Sequence, residues 1–318
     1  MIARAPGKVV LSGAYAVLEG ATAVVTAVGR YAIADSRRPS DWITPEVHAA
    51  LGVRDAPWFD ASALRDGRGA KLGIGSSAAI LVASLAALEL EARGPLDDGE
   101  LQAAVFEPAR RAHARAQGGG SGIDVAASTH GGTLLFRREG EHVELSPIRL
   151  PERLVCEVWT SGRPASTPEL LGRVRALAAR DPQQYRRWID AQGDAAEQAA
   201  RAFTGGQVAE AVAALSLQKE CLAGLGEAAG AAIVTGEVNV LDAQAQREAA
   251  VVLPSGAGGG DIALYAAPAV PSAELVRLAT EVGYRRLTDL TLEARGVHAA
   301  PFPPGPEPER PTPRENHD

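Results

Sequence analysis

Four short stretches carry residue types that could handle a phosphate group. Lys71-Leu72-Gly73-Ile74-Gly75-Ser76-Ser77-Ala78-Ala79 is a glycine-rich turn that runs straight into Ile80–Leu88, a helix-forming apolar run. Two glycines let the backbone approach a ligand closely, and Ser76 and Ser77 fall where the helix begins. The first amides of a helix have no internal partners and the helix dipole favours negative charge there. The stretch therefore reads as a phosphate site or as a plain helix cap. Pro6-Gly7-Lys8 sets a cation at a turn-to-strand junction; a solvated surface lysine is the alternative. Gly118-Gly119-Gly120-Ser121-Gly122 cannot continue a helix, so the chain breaks and re-enters structure at Asp124. Between Ile123 and Val125, this aspartate reads either as the N-cap of the turn at 125–127 or as a catalytic group. The fourth stretch, Pro254-Ser255-Gly256-Ala257-Gly258-Gly259-Gly260-Asp261, lies between two apolar runs and must turn sharply or approach something closely.

The elements that would position these residues follow from periodicity and breakers. Val9–Leu11, Ala23–Val28 and Tyr31–Ala34 read as short strands separated by Gly13, Gly20 and Gly29. Residues 36–70, with Trp42, Trp58 and several prolines, read as a loop-rich excursion with one short helix at Pro45–Leu51. A helix over about 98–117 contains Pro108, which should kink or split it. Strands are expected at Gly132–Arg137, His142–Leu150 and Arg153–Trp159. Helices should then cover roughly 167–180, 182–203 and 206–224, the last with an apolar stripe of Val208, Val212, Leu215 and Leu222. Ile262–Tyr265 is a further strand. From Pro301 the chain is rich in Pro, Glu and Arg without periodicity, which predicts disorder over 301–318.

Composition excludes several classes. A net charge of −7 implies no basic face for nucleic acid. The two cysteines, Cys156 and Cys221, form no CxxC or His/Cys cluster, so buried free thiols are expected in place of a zinc site or a disulfide. No run of 18 apolar residues and no apolar leader occurs, so no membrane partner is expected and the cytoplasm is the expected location. The Walker pattern GxxxxGK[ST] is absent. A homodimer is compatible with the sequence and not required by it.

Taken in order, residues 5–20, 71–79 and 254–261 resemble the three motifs of the superfamily of galactokinase, homoserine kinase, mevalonate kinase and phosphomevalonate kinase, the GHMP kinases. The resemblance extends over most of residues 1–300. Its details are similar to the phosphomevalonate kinase branch: Lys71–Ala79, Ala112-His113, Gln117-Gly118, Gly120–Ala127, a looser Thr160–Thr167 turn, and Pro254–Asp261. It implies an α+β, two-domain GHMP-kinase-like fold, with a ribosomal-protein-S5-like N-terminal domain (1–155) carrying the ATP loop and a ferredoxin-like C-terminal domain (156–300). Two positions depart from the pattern, Ala14 where glutamate is common and Leu253 where lysine is common.

The resemblance implies ATP and Mg²⁺ as cofactors and a small-molecule phosphate acceptor, phosphomevalonate first. Mevalonate, another small alcohol, or a non-catalytic ligand-binding homologue are the alternatives. Asp124 is implied as general base and Lys8 as its cationic partner. Gly73, Ile74, Gly75, Ser76, Ser77 and Ala78 would hold the ATP phosphates, and Ser77 or Ser76 a metal ion. Glu107 is the candidate carboxylate ligand, with an exposed helical glutamate as the alternative. Ser121, Gly122, Arg163, Ser166, Lys219, Gly256, Ala257 and Gly258 are the remaining acceptor-site candidates, and Lys71 is a further cation. His113 and His130 read as packing or surface residues.

Overall fold

Val9, Val10 and Leu11 are the visible part of a longer strand. In the computed structural model, which describes residues 1–52, 56–163 and 165–301, β1 spans Ile2–Ser12. The two runs separated by Gly29 form one strand, β2 (Ala23–Pro39). Gly29 does not break it, because its amide donates to the Thr291 carbonyl at 2.8 Å and its missing side chain makes room for Thr291. After α1 (Pro45–Leu51) comes a strand that the loop-rich reading of 36–70 missed, β3 (Pro57–Asp60), paired antiparallel to β2. It is short and mixed in polarity, so no alternation marks it.

The apolar run after the glycine loop is α2 (Ser76–Arg93), buried on nearly every side, as its unbroken Ala/Leu/Val content requires. α3 (Asp98–Gln117) begins in a capping box of Asp97 and Glu100. It passes Pro108 unbroken, against expectation; Pro108 is exposed, so the backbone carbonyl it leaves without a donor lies on the solvent side. α4 (Ile123–His130), β4 (Thr133–Glu139) and β5 (His142–Ile148) follow. β6 (Val155–Thr160) opens a second sheet. Then come α5 (Thr167–Arg180), α6 (Pro182–Thr204), α7 (Val208–Ala229), α8 (Gly236–Ala245), β7 (Val251–Pro254), β8 (Ile262–Ala267), α9 (Ala273–Glu281), β9 (Arg285–Arg286) and β10 (His298–Ala299). α8 and α9 lie outside the expected elements: both are short, and although Leu275, Leu278, Ala279 and Val282 fall at helical spacing along α9 and its C-cap, that helix spans only nine residues.

The first sheet runs β10-β1-β2-β4-β5 with β3 on β2, and the second runs β7-β8-β6-β9, with antiparallel pairing throughout. α2 packs on β1 and β2, and α7 on β7. One core joins both sheets through Val9, Leu11, Val158, Leu253 and Leu264. The architecture is the mixed α+β one expected. The disorder expected over 301–318 falls, from residue 302, outside the described residues. Cys221 is buried and Cys156 only partly so; both are free thiols.

Candidate active site

β1 carries Lys8 past the glycine loop. The Lys8 amide donates to the Ile74 carbonyl at 2.8 Å, which ties strand to loop before any side chain is involved. The Lys8 side chain then lies across Gly75: a Cβ there would stand 2.9 Å from Lys8 Cγ. Gly75 also holds φ +81°, so any side chain would be strained there as well as obstructive. Beyond Gly75, Lys8 Nζ meets Asp124 Oδ1 at 3.1 Å, with the lysine side chain 10% and the aspartate side chain 29% exposed. This is no surface lysine.

Asp124 is not the N-cap. Gly122 takes that place, and Asp124 sits in the first turn of α4 with its carboxylate turned to Lys8. Neither Gly75 at the start of α2 nor Gly122 at the start of α4 can offer a side-chain acceptor, and Gln207 at α7 offers none either; in the first turn of α4 only the Ile123 amide is taken, by Ser121 Oγ. Helices α1, α3, α5, α6, α8 and α9 have one, from Thr44, Asp97, Ser166, Asp181, Thr235 and Ser272. The remaining open amides of α2 and α4 start beside the Lys8–Asp124 pair, an arrangement suited to oxyanions.

The fourth stretch closes on this group from the second sheet. Ser255 Oγ accepts from the Val10 amide and donates to the Val10 carbonyl, both at 3.0 Å, which clamps β1 two residues after Lys8. A Cβ on Gly256 would lie 4.0 Å from Lys8 Nζ. The Ala257 carbonyl accepts from the Tyr15 hydroxyl at 2.7 Å, and Gly258 packs against Ile233. Asp261 lies against Gly73, and burial raises its carboxyl to about 6, with the Ile262 amide and the Lys8 charge pulling the other way.

The structure thus gathers Lys8, Asp124, Gly73, Gly75 and Gly256, with Ser76 and Ser77 opening α2. Other candidates stand elsewhere. Glu107 is bound up with Arg110, whose Nε and Nη2 donate to it at 3.0–3.2 Å, and with Arg111. The arginine one turn later on the same helix captures this carboxylate, which leaves it no free pair of oxygens for a metal ion. Lys219 pairs with Asp242 at 3.0 Å, deep under β7. Arg163 is exposed and pairs with Glu237 at 3.2 Å. The Ser166 hydroxyl caps α5 by accepting from the Glu169 amide, and Ser121 Oγ accepts from the Ile123 amide. Lys71 is exposed.

Three residues were missed as parts of this site. His113, read as packing, is buried with its Nε2 3.5 Å from Ser77 Oγ and 3.1 Å from Gln117 Nε2. The i, i+4 spacing of His113 and Gln117 was the available signal. Ser255 and Asp261 lie inside the Pro254–Asp261 stretch, where the glycines carry the signal. Among the described residues no group of three or more His, Cys, Asp or Glu side chains could cage a metal ion.

Fold and site define a protein whose glycine-rich loops converge on a buried lysine, and comparison with known proteins agrees. Residues 67–132 match the family model of the GHMP kinases N terminal domain. The chain is 31% identical over 208 residues to a mevalonate kinase of Archaeoglobus fulgidus, covering 60% of this chain and 69% of that one. It is 30% identical over 260 residues to a phosphomevalonate kinase of Streptomyces sp., covering 75% of this chain and 65% of that one. The Streptococcus pneumoniae phosphomevalonate kinase, solved in complex with phosphomevalonate and AMPPNP, shares the fold with a TM-score of 0.72 at 18% identity, covering 92% of this chain and 99% of that one. The chain belongs to the GHMP kinase family. Its relatives include both mevalonate and phosphomevalonate kinases.

Proposed function

We propose that the protein is an ATP-dependent phosphomevalonate kinase, transferring the γ-phosphoryl group of ATP to 5-phosphomevalonate to give 5-diphosphomevalonate. The observation that carries this reading is the Lys8–Asp124 pair laid across Gly75, between the loop at 73–78 and the turn at 256–261. Amides at the start of α2 hold the β- and γ-phosphates; the turn at 256–261 faces the acceptor, and the site lies between two halves that meet near residue 155. Mg²⁺ is the ion the family implies. The donor set suits an ion that arrives on the nucleotide, since Ser77 offers one hydroxyl and phosphates and water can supply the rest. Bound there it would neutralise phosphate charge.

The acceptor decides what Asp124 does. An alcohol such as mevalonate must lose a proton, and a base is useful. A phosphate, with a second pKa of about 6, is already mostly dianionic at neutral pH. The difficulty is then repulsion between anions. Two unit charges at about 4 Å cost about 4 kcal/mol at an effective dielectric near 20, and phosphates carry more. Lys8 offsets that repulsion, and Asp124 holds Lys8 in place.

The test is ADP release from Mg-ATP with phosphomevalonate and with mevalonate, side by side. Turnover with phosphomevalonate alone supports the proposal. Turnover with mevalonate alone replaces it with the runner-up. Silence with both, and with a wider panel of alcohols and phosphates, leaves the non-catalytic homologue. Asp124→Asn adds resolution: the loss with an alcohol acceptor should be about 10²–10⁴-fold, and clearly smaller with a phosphate one.

A further inference from the structure

Two carboxylates flank Lys8, and they are not equivalent. Asp124 Oδ1 holds the ammonium at 3.1 Å. Asp261 approaches from the second sheet and packs against the loop instead: its Oδ2 is 2.7 Å from where a Cβ on Gly73 would stand. Oδ1 accepts from the Ile262 amide at 2.8 Å, while Oδ2 has no hydrogen-bond partner among the described residues. The Asp261 backbone is fixed independently, its carbonyl accepting from the Ser161 amide at 3.1 Å. An anchored carboxyl thus presents one free oxygen beside a loop whose amides would receive phosphates.

An ionised carboxylate there would repel the ligand the loop attracts. Of the charged groups around it, Lys8 on β1 is the one whose field reaches Asp261, and that charge is already shared with Asp124. On the other side stands the Tyr284 phenol, which burial keeps neutral by pushing it up to about 12, and which donates to the Gly260 carbonyl at 2.8 Å. The Arg163–Glu237 pair beyond it is internally matched. The Gly73–Asp261 contact therefore leaves a phosphate and a carboxyl facing each other, and among the described residues no cation forms an ion pair with Asp261: Lys8 is held by Asp124, and Lys71, two residues before Gly73, is exposed. A proton between them resolves the conflict and turns repulsion into a hydrogen bond.

We propose that Asp261 is the neutral acid of the phosphate site: with a nucleotide phosphate on the loop at 73–78, it takes up one proton from solvent on Oδ2 and donates it to a phosphate oxygen. The inference rests on the reading of that loop as the nucleotide site. Burial has already brought the carboxyl to about 6 in the empty protein. A unit negative charge about 5 Å away raises a carboxyl by roughly two more at an effective dielectric of 20, so the bound form is protonated at neutral pH. One carboxyl beside Lys8 stays in its ion pair while the other carries a proton, a division of roles set by environment alone.

Calorimetric titration of the full chain with ADP at pH 7.5, in two buffers of different ionisation heat, counts the protons taken up. Wild type should take up about 0.7 of a proton more than Asp261→Asn. The asparagine, whose amide also donates, should bind ADP within about threefold of wild type. Asp261→Ala, which removes the donor to a charged oxygen, should bind at least tenfold more weakly. The wild type also reports by itself, since ADP affinity should fall about fivefold between pH 7 and pH 8. Equal proton counts with binding intact, or a flat profile, overturn the inference and leave the loop reading standing. Binding by Asp261→Asn as weak as by Asp261→Ala also overturns it, in favour of an ionised carboxylate on a metal ion. A wild type that binds no ADP overturns the loop reading and this inference together.

Discussion

Two enclosed Lys–Asp pairs of nearly equal length stand among the described residues, and they differ in what surrounds them. In Lys219–Asp242 the aspartate side chain is 2% exposed and its acceptor capacity is used up: Oδ1 takes the Val252 amide at 3.0 Å, and Oδ2 takes the Gln246 amide nitrogen at 2.9 Å and Lys219 at 3.0 Å. In Lys8–Asp124 the aspartate is more open, and the lysine faces Gly75 and Gly256, where no side chain competes for it. The first pair fastens α7 and α8 to the start of β7. The second keeps a charge available. Residue type and the Nζ–Oδ distance do not separate the two pairs; the exposure of the aspartate and its unfilled hydrogen-bonding capacity do.

The comparison can be broken at either end. Lys8→Met should lower turnover by about 10²–10³-fold, the scale of removing one donor to a developing anion, while a thermal melt shows the fold retained. A melt that collapses instead would make Lys8–Asp124 structural like its counterpart. Lys219→Met strands a buried carboxylate and should cost about 3 kcal/mol of stability, read by urea denaturation. ADP release per folded molecule should fall less than tenfold; a loss as large as that of Lys8→Met would return Lys219 to the acceptor site.

Smaller effects sharpen the picture. The Asp261 carboxyl is higher when folded, about 6 against 3.8. The stability it brings is present below pH 4 and is lost as pH rises through about 6. Asp261→Asn should therefore stabilise the protein at pH 8 by at most about 2–3 kcal/mol, and by almost nothing at pH 4. Chemical denaturation at the two pH values measures the difference. Ser166→Ala should cost about 1 kcal/mol, the usual worth of a helix cap, with acceptor KM unmoved. A raised KM would mean that Ser166 touches the acceptor after all.

Much of the site could be read from the chain because its parts are local. The glycine loop, its two serines and the helix behind it are contiguous, and the Gly118–Asp124 break announced that something other than a helix interior was needed there. What escaped is what folding brings from far away. Ser255 holds the strand of Lys8 across 245 positions, and no spacing rule spans that distance. Glu107 looked available because its rival, Arg110, is itself buried, unusual for an arginine; only the packed structure shows which carboxylate such a residue takes. Gly29 and Pro108 misled for opposite reasons. The glycine serves a close approach inside a strand, and the proline sits on a helix face where a missing donor is tolerated.

β10 pairs with β1 at Ala3–Ala299, and the Ala300 amide donates to the Ile2 carbonyl at 2.9 Å. During synthesis, then, the strand that carries Lys8 emerges long before the segment that covers its outer edge. A nascent chain stalled before residue 298 would hold its lysine and phosphate loop already made, with an open strand edge beside them, the kind of edge to which other chains add. The ribosome must deliver residues 298–300 before the first sheet can close.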